Sequence, residues 1–162
     1  MQWGSYLIDI LGIKFKILSQ SESDLTIQSQ KGNDYRIFIQ EINLNKERSV
    51  KIQKEDLREP NSNLWVCLVL IMEGVEPTPY LIPSLQLTDP DNFVFIYNKL
   101  NAPFEHLSNY EIKVFKNGMQ RLNEFTIESR IEQLDIQNSN KQLISLFCSD
   151  ELRFPNSQDC SY

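Results

Sequence analysis

The sequence predicts a mixed α/β fold of the α+β kind: a central mixed β-sheet with β-hairpins, flanked by helices. Three observations carry this. Short runs with alternating apolar and polar residues recur through the first hundred positions, at the period of strands. The run Leu64-Trp65-Val66-Cys67-Leu68-Val69-Leu70-Ile71-Met72 is apolar at every position, as expected of a strand covered on both faces. The last third shifts to helical spacing.

Taken in order, residues 3–10 form a short helix that stops at Gly12, a residue suited to the helix C-terminus. Residues 13–18 alternate, with Ile13, Phe15 and Ile17 on one side and Lys14 and Lys16 on the other, and read as a strand. Leu25-Thr26-Ile27-Gln28-Ser29 and Tyr35-Arg36-Ile37-Phe38-Ile39 flank the turn-rich Gln30-Lys31-Gly32-Asn33-Asp34, which makes a β-hairpin. Residues 49–53 alternate weakly, Lys54-Glu55-Asp56-Leu57 reads as one helical turn, and residues 58–63 as a loop. After the apolar strand 64–72, residues 73–79 form a turn into a short strand, Tyr80-Leu81-Ile82-Pro83-Ser84, giving a second hairpin. Residues 84–87 start a turn of helix, and 93–97 form a further strand. Residues 117–134 place Met119, Leu122, Phe125 or Thr126, and then Ile131 and Leu134 near one helical face. Leu143-Ile144 and Leu146-Phe147 suit a second short amphipathic helix, and residues 149–162 a loose polar tail, so the domain is expected to span 1–148.

Composition narrows the function. The 162 residues include 16 basic and 22 acidic side chains, a net charge of −6. With a pI near 4.8 this argues against a general high-affinity nucleic-acid binder, which carries a basic excess. The one histidine, His106, removes multi-histidine metal sites and sits in the loop-like Pro103-Phe104-Glu105-His106-Leu107. Cys67, Cys148 and Cys160 are odd in number, and Cys67 falls inside the apolar strand as a core thiol. This usage fits a reducing compartment, and with no basic N-terminal leader and no apolar run of about 20 residues a cytoplasmic location is expected. There is no glycine-rich phosphate loop, no nucleophile elbow and no His/Cys cluster.

One constellation has chemical content. Asp24 precedes the first strand of the first hairpin, and Gln40 and Glu41 follow its second strand. Closing the hairpin near residues 31–34 sets position 24 opposite roughly position 41. Oxygen donors meeting there, above all Asp24 and Glu41, suit a Mg²⁺ ion, which takes one or two carboxylates plus water and a substrate phosphate.

An acid before a strand, a hairpin, and an acid or amide at the next strand's end resembles the restriction-endonuclease-like superfamily, PD-(D/E)XK. The likeness continues through Phe38-Ile39-Gln40-Glu41-Ile42, the apolar strand and the strand ending Ile82-Pro83-Ser84. It implies that Asp24 stands at the first metal-binding acid and Gln40 at the second motif's Glu/Gln, with Glu41 at its variable position. The family's lysine then falls at Ile42, which has neither donor nor charge. A second register puts Glu41 at the acid and Asn43 at the lysine. A displaced lysine would have to come from Lys51 or Lys54.

Three functions follow as expectations. The first is a nuclease-like fold with a degenerate motif, reused as a binding or interaction module, with a protein partner and no cofactor. The second is an active Mg²⁺-dependent DNA nuclease using Lys51 or Lys54. The third is a plain α+β interaction domain unrelated to nucleases, in which Asp24 and Glu41 point away from each other. Residues 46–58 carry five basic groups against three acids, too thin an excess for DNA alone. Trp3, Tyr6, Phe104 and Tyr110 are candidates for a partner face, and an edge strand or helix face for a homodimer.

Overall fold

The computed structural model describes residues 2–134. The expected helix at Leu143–Phe147, Cys148, Cys160, the tail at 149–162 and the side chain of Trp3 lie outside the described residues. The described chain runs α1 (Gln2–Leu11), β1 (Lys16–Gln20), β2 (Asp24–Gln28), β3 (Asp34–Asn43), β4 (Ser49–Gln53), α2 (Lys54–Leu57), β5 (Leu64–Met72), β6 (Val75–Pro83), α3 (Ser84–Leu87), β7 (Phe95–Asn98), β8 (Asn109–Lys113), α4 (Met119–Leu122) and α5 (Ile127–Ile131). Single 3₁₀ turns lie at Glu105–Leu107, Lys116–Gly118 and Asn123–Phe125. The fold is mixed α/β, as the sequence predicts.

The strands form two sheets rather than the single central sheet expected. The larger has the order β1-β2-β3-β5-β6 and the smaller β4-β8-β7. Only β3 and β5 pair in parallel, and the chain between them passes through β4 and α2. Parallel neighbours need such a crossover, which here supplies a strand of the second sheet as well as a helical turn.

Each face of the large sheet has its own cover. Strand periodicity sends Phe38 and Ile42 of β3, and Leu64, Val66, Leu68 and Leu70 of β5, into one buried cluster with Val50, Ile52, Phe95, Tyr110 and Ile112 of the small sheet. The alternate residues Tyr35, Ile37, Ile39, Trp65, Cys67 and Val69 meet Leu7 and Leu11 of α1, Ile127 of α5 and Leu134. β5 is therefore covered on both sides, which explains its unbroken apolar run. Leu7 and Leu11 lie one turn apart on one side of α1. The helix stops at Gly12, whose N–H meets the Ile8 carbonyl at 2.7 Å and where a Cβ would stand 2.6 Å from that oxygen. Among the described residues, no helix is long and apolar enough to cross a membrane.

The elements differ from expectation at four places. The strand expected at 13–18 starts at Lys16, because Lys14 and Phe15 still donate to the Leu11 carbonyl and Ile13 is left 82% exposed. β6 begins at Val75, so the second hairpin closes through Glu73 and Gly74, and Pro77 and Pro79 lie inside the strand. Being outermost in its sheet, β6 tolerates prolines that a central strand would not. The strand expected at 93–97 starts at Phe95. The Asp91 carboxylate accepts hydrogen bonds from the N–H groups of Phe93, Val94 and Phe95, each 2.9 Å, and commits the first two to a turn. The single helix expected over 117–134 is broken at Thr126, whose extended backbone (ψ 147°) bridges to Tyr80 of β6. This anchors Phe125 in the core, edge-on to Phe95 with ring centroids 5.5 Å apart.

Candidate functional site

The first hairpin forms, but in a different register. Asp24 pairs with Phe38, three residues short of the expected partner at 41. The turn is tight because Ser29 N–H bonds to the Asn33 carbonyl and Gly32 takes φ +85°, so β3 runs well past the end of β2. Cross-strand partners share a face. Asp24 therefore shares its face with Gln40 and Ile42, while Glu41 and Asn43 project from the other. Asp24 and Glu41 are not brought together, and neither are Asp24 and the pair Glu41/Asn43 of the second register.

Asp24 is already engaged. Its Oδ1 lies 2.6 Å from Nη2 of Arg36 on the neighbouring strand, and its Oδ2 accepts from Ser23 Oγ at 3.2 Å. Oδ1 is shut off from solvent, with Arg36 as its charge partner. The guanidinium also donates to the Leu57 carbonyl at 2.8 Å and to that of Asp56 at 3.2 Å. It lies 5.9 Å from the centroid of the Phe38 ring. Arg36 thus satisfies carbonyls at the end of α2 while neutralising Asp24, and fastens the hairpin to the crossover.

The other candidates disperse. Gln40 donates its amide N–H to the Glu41 carbonyl at 3.0 Å. Ile42 is fully buried between the two sheets. Lys51 projects from the outer face of the small sheet, since its neighbours Val50 and Ile52 point inward, and it stands opposite Glu111. The Glu111 carboxyl is held below the usual range, chiefly by a hydrogen bond from Asn98, against a smaller opposing effect of burial, with Ser49, Lys51 and Lys113 adding to the lowering. Lys54 lines a charged cleft of about 380 Å³ with Glu55, Arg58, Glu59, Glu105 and the exposed His106. Among the described residues no three His, Cys, Asp or Glu side chains gather as a metal-binding group.

Of the candidate partner-face aromatics, Phe104 is exposed, Tyr6 is half-buried and Tyr110 is core, stacked on Tyr97 with centroids 5.0 Å apart. Cys67 is fully buried, and burial pushes its thiol up to about 12, so it stays protonated and unreactive.

Sequence reasoning missed a cleft of about 610 Å³ at one end of the two-sheet stack. It lies between the β5–β6 hairpin and the segment following β8. One lining residue, Val114, ends a pattern that was visible: Tyr110, Ile112 and Val114 alternate with Glu111 and Lys113, a strand pattern left unassigned.

The class these features define is a mixed α/β domain with a helical layer on one face of its main sheet and a second antiparallel sheet on the other. The chain matches no known protein-family model, no curated protein and no solved structure.

Proposed function

We propose that this chain is a binding module that does not hydrolyse nucleic acid. The observation that carries the reading is the state of the motif face. Asp24 is ion-paired to Arg36, and Ile42, at the lysine position, is sealed beneath the second sheet. A phosphodiester would need access to both positions at once, together with a cation to hold the water and the developing charge. Among the described residues the cation on Asp24 is a guanidinium committed to three acceptors.

A relation to the restriction-endonuclease-like superfamily is supported by one further feature: Asp24, Gln40 and Ile42 share a face of the hairpin, as the motif demands. Asp24 and Glu41 lie on opposite faces, which supports the plainer reading of an α+β interaction domain. Both readings give the same function, binding without cleavage.

The test is hydrolysis of single- and double-stranded DNA and of RNA with Mg²⁺ or Mn²⁺, by wild type and Asp24→Asn. No cleavage by either protein is expected. Metal-dependent cleavage by wild type that disappears in Asp24→Asn would overturn the proposal.

A further inference from the structure

The geometry points to the cleft at the end of the two-sheet stack as a binding site for a free amphipathic anion: one aliphatic chain carrying a single anionic head. This deepens the binding-module reading and rests on it.

The cleft is built from core residues that continue outward with no cover among the described residues. Leu70, Tyr80 and Val114 are buried at its base, and Leu44, Phe115 and Met119 are half-buried around it. Met72 and Val75, at the tip of the β5–β6 hairpin, complete the lining and are 42% and 55% exposed. The wall after β8 is rigidly formed. Gly118 closes its turn by bonding to the Phe115 carbonyl at 2.9 Å, and a Cβ there would stand 2.9 Å from the Phe115 ring. At about 610 Å³ the space is within the range of small-molecule pockets, which are mostly apolar with a few polar groups that fix orientation.

The polar groups here give the sign of the ligand. Arg48 and Lys116 both line the cleft in a chain whose net charge is −6. Neither forms an ion pair among the described residues, and Arg48 donates only to the Leu44 carbonyl, at 2.8 Å. Two cations without acid partners beside an apolar cavity match an anionic head on an apolar chain. Glu76 shares the lining, leaves the local charge at +1 and limits the head to a single charge.

The experiment is calorimetric titration with decanoate and, separately, with decanol. Wild type is expected to bind decanoate saturably, one to one, and at least ~10-fold more tightly than decanol. The double variant Arg48→Ala/Lys116→Ala should weaken decanoate by about tenfold or more and leave decanol unchanged. Both replaced side chains are exposed and the one bond lost, from Arg48 to the Leu44 carbonyl, is a surface bond, so its urea midpoint should fall only slightly below wild type. Glu76→Gln should tighten decanoate. Absence of saturable decanoate binding overturns the inference, as does equal weakening of both ligands in the double variant. So does co-sedimentation with phosphatidylglycerol vesicles without decanoate binding, or a concentration-dependent dimer that Met72→Glu dissociates. Nucleic-acid cleavage would remove the binding-module reading whatever the titration gives. A negative titration from a chain that cleaves nothing removes only the ligand.

Discussion

Replacing Arg36 separates a structural role for Asp24 from a catalytic one. The guanidinium is 24% exposed and its carboxylate partner 32%, so the pair sits between the surface and buried regimes. Exposed pairs contribute at most about 1 kcal/mol, and breaking a fully buried one costs about 3–5 kcal/mol. A value of ~1.5 kcal/mol is reasonable for this ion pair after allowance for solvent screening. The bonds from Arg36 to the Leu57 and Asp56 carbonyls add about 1 kcal/mol each. Arg36→Ala should therefore destabilise the fold by ~3.5 kcal/mol, and Asp24→Ala by ~1.5 kcal/mol, since the latter leaves Arg36 its carbonyl partners. Urea unfolding of both single variants and the double variant gives the coupling energy directly, expected at ~1.5 kcal/mol and favourable. A carboxylate kept for metal chemistry behaves in the opposite way: active sites are held at a cost in stability, and removing the acid commonly stabilises. A coupling below about 0.3 kcal/mol, or an Asp24→Ala variant more stable than wild type, would refute the structural role.

Two further outcomes follow from the same geometry. Ile42→Lys sets an unpaired charge in the buried layer beside Leu68 and Leu70; we expect a loss of ~3–5 kcal/mol, or failure to fold, read as a fall of ~10 °C or more in Tm. A variant with wild-type Tm would mean that this face is open to water. Burial works against ionisation of Asp91, but the three backbone N–H donors at 93–95 and Arg121 outweigh it and hold its carboxyl below the usual range. A carboxyl depressed in the folded state contributes stability that is fully present above its unfolded pKa of about 3.9 and is lost as pH falls toward the folded value. The stability difference between wild type and Asp91→Asn should then be constant from pH 7 to about pH 5 and shrink below about pH 4, measured by urea midpoints. A difference that grows on acidification would refute this sign.

The strands whose patterns are local were legible in the sequence. β5 was readable end to end because burial on both faces leaves no polar position, and the first hairpin because its turn carries Gly32 between two alternating runs. What escaped depends on distant partners. Nothing in residues 49–53 says that Val50 and Ile52 pair through β8 and cover β3 rather than joining the larger sheet beside it. The break at Thr126 is set by its bridge to Tyr80, forty-six positions earlier, and no local signal marks it. β8 is different: its alternation was visible, and only its charged outward positions, Glu111 and Lys113, obscured it. At the site, the residue types were readable but the pairing was not. Counting outward from an assumed turn put 24 opposite 41, and an error of three residues is odd, so it sent Glu41 to the wrong face.

That parity, combined with the second sheet, limits what the hairpin can do. Strand geometry sends Gln40 and Ile42 to the same face as Asp24, and the cluster formed by β4, β7 and β8 closes over Ile42. A lysine there would be forced into the apolar layer, so the cover and the motif are mutually exclusive for this chain. The same two-sheet arrangement that closes the middle of the layer leaves, among the described residues, a cleft between the β5–β6 hairpin and the segment following β8. Leu70 of β5 and Tyr80 of β6 line it, together with Arg48 and Lys116. The chemistry that the described residues offer at this end is apolar contact and a positive charge, which suits holding a ligand.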